Sequence, residues 1–223
     1  MLRTLLAVSI FAFTVPVFAE SAGVEWISQM PAIANALGVK CNYCHSAKRG
    51  SGIAEPKKEI AKAMMAMTDE INTRLVAAVG KEAAQTTSIR CAYCHRGVPI
   101  PKPITEIVWQ TIREKGVVAA TDQYRELRKD FYGRNTYDFS EEPLATLANQ
   151  LSSYRPDDAI ALASLNMEFY PKSVNTLVSM SNALTRKHED DDAIAMLEKA
   201  MSFEPENGIV RGRLEQLKSY RRR

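Results

Sequence analysis

Apolar residues recur along this chain at helical spacing and predict a mainly α-helical protein. Ile60, Met64, Met67, Ile71, Leu75 and Ala78 make one stripe on a helix running from about Pro56 to Val79, and Met65 falls off it. Pro56 suits the first helical position, where its missing N–H costs nothing, and Gly80 suits the C-terminal cap. Upstream, Ser28 caps a helix whose first turn holds Gln29, Met30 and Pro31, and Gly38 closes it. Downstream, helices are expected near Glu142–Ser153, Pro156–Phe169, Val174–Lys187, Asp190–Phe203 and Gly208–Arg221. Between these regions, Tyr124-Arg125-Glu126-Leu127 followed by Phe131-Tyr132-Gly133 reads as a helix ending in an aromatic turn.

The C-terminal helices repeat. Asp157, Asp158, Ala159, Ile160, Ala161, Met167, Phe169 and Pro171 return 34 residues later as Asp191, Asp192, Ala193, Ile194, Ala195, Met201, Phe203 and Pro205. That period is the tetratricopeptide one, in which helix pairs bury their apolar faces only by stacking on neighbours. Gly208–Arg221 would then be a capping helix. The segment Gly97-Val98-Pro99-Ile100-Pro101-Lys102-Pro103 has prolines at alternate positions, which forbid helix and mark a boundary. The expected organisation is residues 1–19 a signal peptide, 20–97 a cofactor domain, 98–104 a linker, 105–140 a connecting helix and turn, and 141–223 the helical repeat.

Export is read from Met1-Leu2-Arg3, the mostly apolar run Leu5 to Phe18, and the small residues of Val17-Phe18-Ala19, with Glu20 beginning the mature chain. No later stretch approaches the roughly 20 apolar residues a membrane-crossing helix needs, and no Cys follows the cleavage site to take a lipid. A soluble periplasmic protein is expected. The formal net charge is only +3. The basic end at Arg221-Arg222-Arg223 reads as a solvated helix terminus, so no nucleic-acid partner is indicated.

Cys-x-x-Cys-His occurs twice, as Cys41-Asn42-Tyr43-Cys44-His45 and Cys91-Ala92-Tyr93-Cys94-His95, and uses all 4 cysteines. Two thiols at that spacing add across the two vinyl groups of one porphyrin, and the next imidazole reaches the iron. The expected cofactors are two covalent c-type haems, with His45 and His95 as iron ligands. A structural zinc site or a thiol redox centre also uses Cys-x-x-Cys, but neither requires a His after each pair. Haem attachment of this type happens outside the cytoplasm, in keeping with the leader.

The 3 histidines limit the sixth ligands, because only His188 is spare and it lies in a distant charged stretch. A Met thioether is the common alternative and raises the potential relative to bis-His ligation. Met30 is placed for the first haem; Met64 and Met67 stand on the stripe for the second. A vacant sixth site stays open, and core packing is the plain alternative for any of these Met side chains.

Three segments, Met30 to His45, Ala63 to Asn72, and Cys91 to Gly97, resemble the cytochrome c subunit of photosynthetic reaction centres. In that family a helix, a turn and the Cys-x-x-Cys-His motif carry each haem, and a Met from the helix is the sixth ligand. The resemblance implies Met30 for the haem on Cys41, Cys44 and His45. It implies Met64, the first Met of the Met-x-x-Met pair, for the haem on Cys91, Cys94 and His95. The family's subunit has four haems and usually a lipid anchor; two motifs stand here, and photosynthesis is not inferred. The expected role is one-electron transfer, not enzymatic, with the tail docking a redox protein partner. The alternatives are a dihaem peroxidase with one open haem site, and a repeat-based interaction protein whose haems are structural or sensory.

Overall fold

The computed structural model describes residues 22–45, 55–83 and 88–221. The expected signal peptide at 1–19 lies outside them. Among the described residues the chain is helical, with no strand.

Helix α1 spans Ala22–Leu37. It begins earlier than the sequence pattern suggests: Ser28 is inside it rather than at its cap, and Pro31 is an interior residue. The helix already runs from Ala22, so the turn that Ser28 would otherwise have to cap is complete and Pro31 costs the ladder a single bond, to Ile27. Gly38, at φ +64°, ends α1. Gly38 N–H donates to Asn35 O (3.1 Å) and Val39 N–H to Ala34 O (3.0 Å), the paired bonds of a Schellman stop.

A 3-10 turn over Cys41–Tyr43 carries the first motif. Helix α2 spans Pro56–Val79, with Pro56 at its start and Gly80 (φ +84°) at its end. It buries none of its residues. Short α3, Cys91–His95, is the second motif itself.

The core lies in the rest of the chain. Helices α4 (Ile104–Lys115) and α5 (Val117–Phe131) form a hairpin about Gly116 and bury Ile104, Val108, Ile112, Ala120 and Tyr124. Next come α6 (Glu141–Leu151), α7 (Pro156–Phe169), α8 (Val174–Arg186), α9 (Asp190–Phe203) and α10 (Gly208–Arg221). The hairpin and α6–α7 share one core, in which Leu144, Leu151, Leu162 and Leu165 meet Val108 and Tyr124. A second, smaller core joins Val174, Leu177, Leu197 and Val210. Ala159 and Ala193, 34 residues apart, are both sealed, and Ser179 Oγ donates to Ala145 O at 3.0 Å.

The turn at residues 132–140 brings the haem-motif half to this core. Phe139 sits edge-on to Tyr124 (5.5 Å) and Tyr137 (5.9 Å). The Arg128 guanidinium stacks 4.3 Å from both Tyr132 and Phe169 and donates to Phe139 O at 2.8 Å. Burial pushes the Tyr124 phenol up to about 12, although Arg128 pulls the other way.

Candidate cofactor-attachment site

The second motif shows how the local sequence aims a ligand. Arg96 takes a left-handed conformation (φ +48°) and Gly97 follows at φ +87°, so the chain reverses directly after His95. Val98 N–H donates to His95 O at 3.0 Å, and the reversal returns Val98 O to within 3.0 Å of His95 Nδ1. A proton on Nδ1 donated to that carbonyl leaves the Nε2 lone pair for a metal, the usual way a ligating imidazole is oriented.

Contacts from distant parts of the chain hold this turn and the residues that lead into the motif. From α1, Ala36 O accepts Gly97 N–H at 2.8 Å, and a Cβ on Gly38 would lie 2.1 Å from Gly97 O. From α2, the Asn72 amide pairs with both backbone groups of Ile89: Nδ2 donates to Ile89 O (2.9 Å) and Ile89 N–H donates to Oδ1 (2.7 Å). From the aromatic turn, Thr136 Oγ1 donates to Arg96 O at 2.7 Å. None of these roles was visible as a motif; the glycine pair was the only hint, because each glycine follows a helix end.

The first motif is held more lightly. His45 N–H donates to Cys41 O at 3.0 Å, and Lys57, near the start of α2, sits 3.7 Å over the Tyr43 ring. Cys41 and His45 are exposed and Cys44 is partly so. All four cysteines are free thiols. Among the described residues no three of His, Cys, Asp and Glu converge.

The residues fit a large flat apolar group. On α2, Ile60 is 57% exposed, Met64 43%, Met67 46% and Ile71 40%, a continuous exposed apolar stripe. Covering four half-exposed side chains of this size would contribute about 4 kcal/mol, which a helix with no buried residue otherwise lacks. A cleft of about 570 Å³ separates α1, α2 and the start of α3, with Ala32, Ile33, Ala36, Met65 and Cys91 in its walls. Met30 is partly buried on α1. Met65, off the stripe, is the methionine that lines the cleft with Cys91; Met64 and Met67 are not in its walls. A second cleft runs between the motif and the tail, where His95, Cys94 and Val98 face Lys102, Thr136 and Tyr137.

The family described as photosynthetic reaction centre cytochrome C subunit matches residues 14–155. Over 82 residues the chain is 33% identical to the photosynthetic reaction center cytochrome c subunit of Rubrivivax gelatinosus, covering 36% of this chain and 21% of that protein. Over 74 residues it is 28% identical to cytochrome c-554 of Chloroflexus aurantiacus, covering 33% of this chain and 17% of that protein. The match thus spans about a fifth of the length of these relatives.

Proposed function

Because the chain belongs to the photosynthetic reaction centre cytochrome c subunit family, we propose that it is a periplasmic electron-transfer protein carrying two covalently attached c-type haems. Cys41 and Cys44 would anchor one, with His45 as an iron ligand; Cys91, Cys94 and His95 would serve the other. The haem supplies a one-electron Fe(II)/Fe(III) couple, and the protein tunes it through axial ligand, hydrogen bonding and burial. The observation that carries this reading is the His95 Nδ1 to Val98 O bond inside a Cys-x-x-Cys-His motif. It fixes the ring and its tautomer before any metal is considered.

Met30 and Met64 are the sixth ligands in this scheme. Met30 has the support of its place on the helix that leads to Cys41. Met64 rests on the family pattern and on the exposed stripe that the porphyrin would cover. Neither thioether acts on substrate, so the protein is read as a carrier and not an enzyme. The leader at residues 1–19 supports export, and no helix among the described residues is long and apolar enough to cross a membrane. The stacked helices α6–α10 are read as a tetratricopeptide-like tail that docks a redox protein partner, since such stacks present concave binding faces.

Intact mass and a pyridine haemochrome spectrum of protein matured in a periplasm test the central claim. Two covalent haems are expected; one or none overturns it. Carbon monoxide binding by the reduced protein would overturn the all-Met scheme and favour an open-site dihaem enzyme such as a peroxidase.

A further inference from the structure

We propose that the cleft between α6, α8, α9 and α10 binds a carboxylate-rich segment of a partner protein through Arg186 and Arg213. This deepens the docking-tail reading, on which it rests, by naming the chemistry of the partner. The cleft measures about 530 Å³, and no Asp or Glu lines it.

Both arginines are held by neutral oxygens. Arg213 Nη1 donates to Asn182 Oδ1 at 3.0 Å, and Arg186 Nε donates to Ser153 O at 3.0 Å. Asn182 is itself anchored, its Nδ2 donating to Asn149 Oδ1 at 2.9 Å. Arg186 lies one turn beyond Asn182 on α8, so the two side chains are neighbours on one helix face. Asn182 thus holds the Arg213 guanidinium and Ser153 O holds that of Arg186, and both arginines line the same cleft. Among the described residues neither forms an ion pair, whereas cations around them do: Lys187 with Asp157 and Glu189, Lys218 with Glu198, and Arg221 with Asp191. Each guanidinium has five N–H donors and spends one on a neutral oxygen.

Paired arginine forks without a counter-charge favour carboxylates, which they bind bidentately. The rest of the lining fits a peptide backbone and side chain. Ser181, Thr185 and Gln216 supply hydrogen-bonding groups, and Leu197 and Leu217 supply apolar surface. A recess between helices admits an extended chain and keeps a flat membrane surface away from its walls.

The test uses the full-length, haem-loaded protein and two fluorescein-labelled octapeptides, one of alternating glutamate and glycine with a free C-terminus and its glutamine counterpart. The acidic peptide is expected to bind saturably. Its affinity should fall at least tenfold in the Arg186→Gln/Arg213→Gln double variant, and steeply as salt rises from roughly 0.05 to 0.3 M. The glutamine peptide should not bind, and Lys115→Gln/Lys129→Gln, an equal loss of two charges at exposed positions outside the cleft, should leave affinity unchanged. Unaltered circular dichroism shows that the double variant is folded. No binding, equal binding of the glutamine peptide, or full affinity in the double variant overturns the proposal. Arginine-dependent binding of phosphatidylglycerol vesicles or inorganic phosphate in preference to the acidic peptide would also overturn it. The docking role is read separately, from whether cross-links between the reduced protein and its membrane-fraction partner fall within residues 141–221. A tail that cross-links but ignores the peptide sinks this site alone.

Discussion

Gly38→Ala is expected to disrupt the second haem motif although it lies next to the first. Gly38 has φ +64°, and a Cβ there would stand 2.1 Å from Gly97 O and 2.8 Å from Gly97 C, both backbone atoms that cannot swing aside. The left-handed conformation alone costs an alanine about 1–2 kcal/mol. Forcing the two backbones apart adds about 1–3 kcal/mol, and separating Gly97 N–H from Ala36 O loses about 1 kcal/mol more. Gly133→Ala is the control: φ is +77° there, in a turn, but nothing lies within 4 Å of the added carbon. The pair therefore differs by the steric and hydrogen-bond costs, about 2–4 kcal/mol. Guanidinium unfolding of the haem-loaded protein, followed at the Soret band, measures both variants. Proton NMR of the oxidised protein should show displaced His95 ring resonances in Gly38→Ala and not in Gly133→Ala. Equal destabilisation of the two variants would refute the claim that α1 is wedged against the turn after His95.

Asn72→Ala removes both bonds to Ile89 and leaves two backbone groups to find other partners, at about 1–3 kcal/mol; hydrogen exchange at the Ile89 amide should quicken while the middle of α2 keeps its protection. Thr136→Val deletes the bond to Arg96 O without changing side-chain volume much, and should move the reduction potential of one haem only. A shift of both haems, or of neither, would disconnect the aromatic turn from His95. Tyr124 has its phenol raised to about 12 from an ordinary 10.0. The folded state therefore holds the proton more tightly than the unfolded one, and stability is intact below pH 10 and falls as pH rises toward 12. The limit is about 1.4 kcal/mol per pH unit. Burial raises Tyr137 as well, so Tyr124→Phe should reduce this alkaline loss in urea melts rather than abolish it; an unchanged slope would show that the buried phenol is not responsible.

Much of the helical scaffold was legible because its punctuation is local. Pro56 and Gly80 bound α2, Gly38 closes α1, and Pro156 and Asp190 open α7 and α9 where the sequence pattern sets them. Each limit follows from a missing N–H, a first-turn charge or a glycine that accepts positive φ, all properties of one or two residues. The start of α1 went astray for the same kind of reason. Ser28 and Pro31 form a plausible entry signal, but residues upstream of them also form helix, and the longer ladder wins. The six residues of the two attachment motifs were equally plain, because thiol spacing along one chain is itself the chemistry.

What the chain could not disclose on its own is who holds whom. Asn72 reaches Ile89 across 17 residues and Thr136 reaches Arg96 across 40, and nothing in their neighbourhoods in sequence distinguishes them from other polar side chains. Asn182 gathers Arg213 in the same way, across 31 residues. Such partners are chosen by how helices stack, and a one-residue rotation of either helix would choose others. The sequence alone determined where most helices begin and end and which thiols are proposed to attach a porphyrin, since both depend on neighbours along the backbone. Only the tertiary structure decided that α1 and the aromatic turn converge on the loop after His95 while α2 holds the residue two before Cys91, because those contacts exist only when distant segments pack together.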